Sequence, residues 1–140
     1  MTRSGSSVTR RLAIVGEGPD RGAAEELVFR GYAMQALGLV TRRPALIAGA
    51  SSALFAVPHL MNPEVHQYGA LVMVLNYFAI GMVLAIIVLR DGRLELAIGL
   101  HIANNVFLAL VANYEGSALA TGAIFTARVL DPWFSLATLI

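Results

Sequence analysis

A short segment near the N-terminus carries three charged side chains in an otherwise apolar setting. Glu25, Glu26 and Arg30 lie in the stretch AAEELVFRGYAMQAL, which is otherwise typical of a membrane-buried helix. A carboxylate in hydrocarbon is costly, so an ionisable group at such a position marks a functional site by default. This cluster is therefore the first candidate for a site that performs chemistry.

The spacing within the cluster gives its two glutamates different expected roles. Glu26 and Arg30 are four residues apart, so they lie on one helix face and can pair. Glu25 points about 100° away from Glu26 at 3.6 residues per turn. We predict that Arg30 holds Glu26 while Glu25 faces a cavity. A plain ion pair that only orders the helix is the alternative, but such buried pairs rarely gain stability over apolar residues.

Two later apolar stretches are interrupted by histidine. Phe55 and His59 are four residues apart in one stretch, and His101 and Asn105 are four apart in another. Taken singly, a histidine near a helix end is typical of an interfacial residue, and an asparagine can simply bond to a neighbouring helix. If successive helices alternate in direction, however, these residues fall in the same layer as Glu25. We therefore expect one shared site.

The residue types in this layer suit hydrolysis by an activated water. A carboxylate can act as the base, while polar side chains stabilise the oxyanion formed from a carbonyl. The chain has no cysteine, no H-E-x-x-H, no G-x-S-x-G and no Gly-rich phosphate loop, which excludes the usual thiol, zinc, serine and nucleotide patterns.

A metal is possible but not favoured by the donor set. Three protein ligands and a water make a catalytic zinc site, and Glu25, His59 and His101 would be its ligands. The H-x-x-x-N pair, however, supplies an amide where zinc prefers nitrogen, sulfur or carboxylate. The two histidines also come from different helices. We therefore expect no cofactor.

Composition and charge pattern place these motifs in a membrane protein. The chain is 57% hydrophobic and only 14% charged. About 20 apolar residues cross a bilayer, so we predict spanning helices over roughly 45–61, 68–89 and 94–114. The arginines form no stripe and the net charge is +1, so the expected partner is a lipid bilayer and not a nucleic acid.

The predicted fold class is all-α, a polytopic membrane helix bundle of about five helices. A first helix over roughly 21–40 follows Asp20, a fifth apolar run begins near Ser117, and Asp131-Pro132 is typical of a further helix start. Residues 1–18 are polar and are predicted to be a disordered tail, which leaves 19–140 as the transmembrane domain. The short tail and the apolar C-terminus lead us to expect the core of a larger bundle.

Three motifs occur in order on successive predicted helices: E-E-x-x-x-R at 25–30, F-x-x-x-H at 55–59 and H-x-x-x-N at 101–105. In this order they resemble the CPBP family of intramembrane proteases. That family includes type II CAAX prenyl endopeptidases and bacterial relatives linked to bacteriocin processing and immunity. The resemblance covers roughly 20–115.

The resemblance implies a role for each motif residue. It implies that Glu25 and His59 activate a water and that His101 and Asn105 hold the oxyanion. Supporting roles fall to Glu26, Arg30 and Phe55.

The leading functional hypothesis is an intramembrane endopeptidase that hydrolyses a peptide bond near the membrane surface. Its partners would be a peptide or protein substrate and the lipid bilayer, and its location a bacterial cell membrane. The alternative is a non-catalytic immunity or peptide-binding membrane protein on the same scaffold, and a transporter fragment with a polar relay is a third hypothesis. The motif spacing favours the first hypothesis over the third.

Overall fold

The computed structural model of the chain describes residues 20–119 and 121–139, and most of them are helical. The predicted tail over 1–18 lies outside the described residues. Six helices are described, and they are α1 over 20–40, α2 Pro44–His59, α3 Pro63–Tyr68, α4 Ala70–Asp91, α5 Glu95–Leu110 and α6 Pro132–Leu139. Two short strands complete this part of the chain, β1 Ala112–Tyr114 and β2 Phe125–Ala127.

Helix α1 changes its winding in the middle. Its segment Leu27–Ala33 is π-helical and lies between α-helical turns on both sides. The backbone N–H of Met34 donates to the carbonyl of Phe29, which is the i to i+5 spacing of a π-turn. Segments of this kind are rare and are frequent at functional sites. Regular turns of 3.6 residues, on which the predicted first helix was based, do not include this segment.

The remaining helix boundaries follow local chemistry. Pro44 starts α2, where its missing N–H costs nothing. Helix α4 ends at Gly92, whose φ of +71° favours glycine. The side chain of Asp131 accepts hydrogen bonds from the N–H groups of Trp133 and Phe134, at 3.0 and 3.1 Å. This N-cap confirms the helix start predicted at Asp131-Pro132.

Strand pairing corrects the all-α prediction in one region. Strands β1 and β2 are parallel, with Ala112 opposite Phe125. The fourth helix, predicted over roughly 94–114, therefore ends at Leu110. The apolar run that begins near Ser117 leads into strand β2 and not into a helix. The side chain of Asn113 stabilises the intervening loop by donating to the carbonyl of Leu119.

Helix lengths also limit the membrane prediction. Of the described helices, Ala70–Asp91 is the one long and apolar enough to cross a membrane. Helices α2 and α5 have 16 residues each, or about 24 Å at 1.5 Å per residue, which is less than a hydrocarbon core of about 30 Å. Only 33% of the apolar stretch of α4 is buried, and apolar side chains such as Leu71 and Ile86 are exposed on its surface. The structure supports one spanning helix where the sequence predicted three, and the polytopic bundle is not confirmed.

Helices α2 and α4 approach each other closely at Gly81. A Cβ atom added there would lie 3.0 Å from the Cβ of Ser52 and 3.1 Å from its Cα. Ser52 is fully buried, and its hydroxyl donates to the carbonyl of Ala48 at 2.7 Å. Small side chains with satisfied hydroxyls therefore let the two backbones meet beside the polar cluster of α1.

We expect Gly81→Ala to lower the free energy of unfolding by about 1–3 kcal/mol, because the new methyl group overpacks this contact. Gly99→Ala is the matched control, since Gly99 is exposed on α5 with no atom within 4 Å of the added Cβ. In the control, removing a helical glycine should be neutral or stabilise by about 0.5–1 kcal/mol. Thermal unfolding in detergent micelles measures both. Equal midpoints for the two variants would contradict the close-contact argument.

Candidate active site

The predicted catalytic residues share one cavity. It has a volume of about 650 Å³, and Glu25, His59, His101 and Asn105 all line it. They come from α1, α2 and α5. Helices of alternating direction therefore bring the expected residues together, although α2 and α5 are shorter than the predicted spanning helices.

Two imidazole rings face the carboxylate of Glu25. Its Oε2 atom lies 3.9 Å from Nε2 of His59 and 3.5 Å from Nε2 of His101. The first distance is too long for a direct hydrogen bond and suits a bridging water. The side chain of Glu25 is 25% exposed, so water can reach it.

His59 is held in a defined tautomer. Its Nδ1 lies 2.8 Å from the carbonyl oxygen of Phe55, and a carbonyl can only accept, so Nδ1 carries the proton. In the neutral ring, Nε2 is then an acceptor that faces Glu25. The rings of Phe55 and Tyr77 pack against the imidazole with centroids 4.5 and 4.7 Å away.

His101 is oriented by the second glutamate. Its Nδ1 lies 2.8 Å from Oε1 of Glu26, which also accepts a hydrogen bond from Arg30. A carboxylate that binds one ring nitrogen fixes the orientation and the tautomer of the imidazole. The four-residue spacing predicted the contact of Glu26 with Arg30 but not its contact with His101. The expected position of both motifs in one layer was the feature of the sequence that could have indicated this second contact.

The pairing predicted for Arg30 is confirmed, and the side chain makes further contacts. Its Nη1 donates to Oε1 of Glu26 at 3.0 Å, with both side chains fully buried. Its Nη2 donates to the carbonyl of Gly81 at 3.0 Å, and its guanidinium carbon lies 4.4 Å from the centre of the Phe55 ring. Arg30 therefore connects α1 to α4 and α2.

Asn105 lies on the cavity wall beside α1. A Cβ atom added to Gly22 would be 3.6 Å from its Nδ2, so the absence of a side chain at Gly22 leaves room for the amide. Asn105 is half-buried and can donate hydrogen bonds into the cavity. Its predicted oxyanion role stays a prediction.

A second polar cluster on the same cavity was not predicted. Glu64 on α3 is only 3% exposed, and its Oε1 accepts hydrogen bonds from the hydroxyl of Tyr114 at 3.1 Å and the N–H of Ala118 at 2.9 Å. Burial, and then the charge of Glu64, raises the pKa of Tyr114 well above its ordinary value, so the phenol remains a donor. No sequence pattern predicted the burial of Glu64, because Tyr114 and Ala118, which bind it, lie about 50 positions later in the chain.

The described residues contain no group of three His, Cys, Asp or Glu side chains arranged to hold a metal ion. Of the candidate ligands, Oε2 of Glu25 lies 3.5 Å from Nε2 of His101 and 3.9 Å from Nε2 of His59.

Comparison with known proteins identifies the family. A family model described as "type II CAAX prenyl endopeptidase Rce1-like" matches residues 18–107, which include every predicted site residue. The "uncharacterized protein YyaK" of Bacillus subtilis is 35% identical over 99 residues, which is 71% of this chain and 33% of that protein. The chain thus spans about a third of the length of this relative. No solved structure matches.

The match agrees with the resemblance carried by the three motifs, and it covers more than half of the chain. The family is one of membrane proteins, consistent with the outward-facing apolar surface of α4. The chain belongs to the family of type II CAAX prenyl endopeptidase Rce1-like proteins.

Proposed function

We propose that the chain is an intramembrane endopeptidase that hydrolyses a peptide bond near the membrane surface by means of an activated water. The single observation that supports this most strongly is the approach of two imidazole Nε2 atoms to Oε2 of Glu25, at 3.9 and 3.5 Å, in a cavity of about 650 Å³. Family membership supports protease chemistry in general terms. The roles of individual residues are part of the proposal.

Glu25 and His59 position the attacking water. Because Nδ1–H of His59 is used by the carbonyl of Phe55, its Nε2 and the Glu25 carboxylate are both acceptors. A water between them donates one hydrogen to each, which leaves an oxygen lone pair free to attack. Glu25 takes the proton as the water oxygen bonds to the carbonyl carbon, and it delivers this proton to the leaving nitrogen when the C–N bond breaks.

His101 and Asn105 stabilise the oxyanion. The amide of Asn105 donates one hydrogen bond. For His101 to donate a second, Nε2 must carry a proton, because Nδ1–H is held by Glu26. Oε2 of Glu25 and Oε1 of Glu26 lie 3.5 and 2.8 Å from Nε2 and Nδ1 of His101, on its two sides.

Glu26, Arg30 and Phe55 position the reacting groups. Glu26 orients His101, Arg30 holds Glu26, and Phe55 contacts the guanidinium and both imidazole rings. None of the three takes part in bond making. Substitutions there should change the geometry of the site and not the type of reaction.

We propose that hydrolysis proceeds without a metal ion. The purified protein should contain less than stoichiometric zinc by elemental analysis, and cleavage should survive exhaustive chelation. The reason is the donor set, in which Asn105 supplies an amide that zinc binds poorly and the two histidines come from different helices. Stoichiometric zinc whose removal and re-addition switched activity off and on would contradict this, and Glu25, His59 and His101 would become its ligands.

The substrate is a peptide or protein at a bacterial cell membrane. An immunity or peptide-binding protein on the same scaffold would bind such a peptide without turnover. Cleavage of a membrane-associated reporter peptide by the wild type and by Glu25→Gln separates the two functions.

A further inference from the structure

Glu64 is a buried carboxylate for which the proposed hydrolysis has no use. Its Oε1 accepts two hydrogen bonds, from Tyr114 and from the backbone of Ala118. Its Oε2 is buried and has no hydrogen-bond partner within the described part of the chain. The fold therefore satisfies one oxygen of this carboxylate and leaves the other buried without a partner among the described residues.

No arginine or histidine within the described part of the chain compensates this carboxylate. Among residues 20–119 and 121–139, the arginine and histidine side chains that form ion pairs do so with Glu25, Glu26 or Glu95, and none lies within 4.0 Å of Glu64. An ionised carboxylate taken out of water without a cationic partner is strongly unfavourable. A positively charged group that enters the cavity would remove this penalty and satisfy Oε2 at the same time.

The position of Glu64 connects it to the candidate active site. It lines the same cavity as Glu25 and His59. Between them lies Tyr77, whose ring packs on His59 at 4.7 Å and whose hydroxyl accepts a hydrogen bond from Asn62 at 3.0 Å. A peptide whose scissile bond reaches His59 can therefore extend along this wall toward Glu64.

The surrounding wall favours a side chain with a long apolar stem. Met73 and Leu130 line the same cavity and pack in one cluster with Val65, which directly follows Glu64. A lysine or arginine can lie with its methylene groups along such a surface while its charged end reaches a carboxylate.

We propose that Glu64 is a specificity-determining residue that binds a lysine or arginine side chain of the peptide substrate. This rests on the proposed function for the identity of the ligand as a peptide. It adds a charge preference at one position of that peptide, on the side of the cavity formed by α3, β1 and the loop after β1.

The test measures binding apart from cleavage. Glu25→Gln protein in detergent micelles is titrated with alanine-based hexapeptides that carry one lysine or one norleucine at each position in turn. We expect at least one position at which lysine binds about tenfold or more tightly than norleucine, the size of a charge-assisted hydrogen bond. The double variant Glu25→Gln/Glu64→Gln should lose this preference while its norleucine affinities stay unchanged.

The control is Glu115→Gln in the same background, because Glu115 is exposed on the neighbouring segment and, among the described residues, forms hydrogen bonds only through its backbone. Glu64→Gln keeps an oxygen for Tyr114 and Ala118, and thermal unfolding of each variant verifies that it is folded. A lysine preference absent from the Glu25→Gln protein, or one that survives Glu64→Gln, overturns the proposal. Failure of the wild type to cleave any peptide would instead count against the hydrolase function alone.

Discussion

Glu25→Gln is expected to lower the rate of peptide cleavage by about 10²–10⁴-fold, the usual contribution of a general base. Glutamine has nearly the same volume and can still accept a hydrogen bond from the water, but its amide cannot take the proton. The side chain is partly exposed and lies outside the buried Glu26–Arg30 pair, so stability should hardly change. Cleavage of a membrane-associated reporter peptide, together with thermal unfolding, measures both effects.

Glu115→Gln is the matched control for this experiment, since it makes the same chemical change at an exposed glutamate. It should leave cleavage at the wild-type rate. Equal activity of Glu25→Gln and the wild type would contradict the mechanism. A wild type that binds peptides tightly and never cleaves them would favour the immunity or peptide-binding hypothesis.

The spacing of the motif residues was enough to predict which of them lie together. Four-residue spacing places both members of each pair on one helix face, and this holds for Glu26 with Arg30 and for Phe55 with His59. Intramembrane charge is costly, so Glu25 was expected to face a cavity rather than lipid, and it lines one. These positions could be predicted because helix-face spacing is a local property of the sequence and because a charge in hydrocarbon is costly.

Contacts between distant segments could not be predicted in this way. The Glu26–His101 hydrogen bond joins residues 75 positions apart, and nothing in either motif specifies that carboxylate over its neighbour. The π-helical segment Leu27–Ala33 has no distinct spacing of apolar residues, because apolar residues occupy most faces of this helix. Strands β1 and β2 pair in parallel, with Ala112 opposite Phe125. This pairing could not be predicted, because in the sequence both segments are typical of the apolar stretches next to them.

The burial of Glu64 also depends on contacts between distant segments. A single charge in a short connection is usually solvated, so sequence reasoning gave it no role. Its burial depends on Tyr114 and on the backbone of Ala118, about 50 residues later. Because those partners form only when the chain folds, the second polar cluster could be found only in the structure.

A series of buried hydrogen bonds through Arg30 holds the site together. Gly81 accepts a hydrogen bond from Arg30, Arg30 donates to Glu26, and Glu26 accepts from Nδ1–H of His101. Each link is buried, where an unpaired polar group is most costly. A change at Arg30 should consequently be felt both in stability and at His101.

Arg30→Ala is expected to lower the free energy of unfolding by about 3–5 kcal/mol, because it leaves the fully buried Glu26 carboxylate without its cationic partner. Equilibrium unfolding in mixed micelles measures this loss, and cleavage should fall as well because Glu26 no longer holds His101 in place. The double variant Glu26→Gln/Arg30→Ala removes the orphaned charge together with its partner, so it should be clearly more stable than Arg30→Ala alone. A loss below about 1 kcal/mol for Arg30→Ala, or a double variant that is less stable than the single one, would show that the pair does not support the site in the way described.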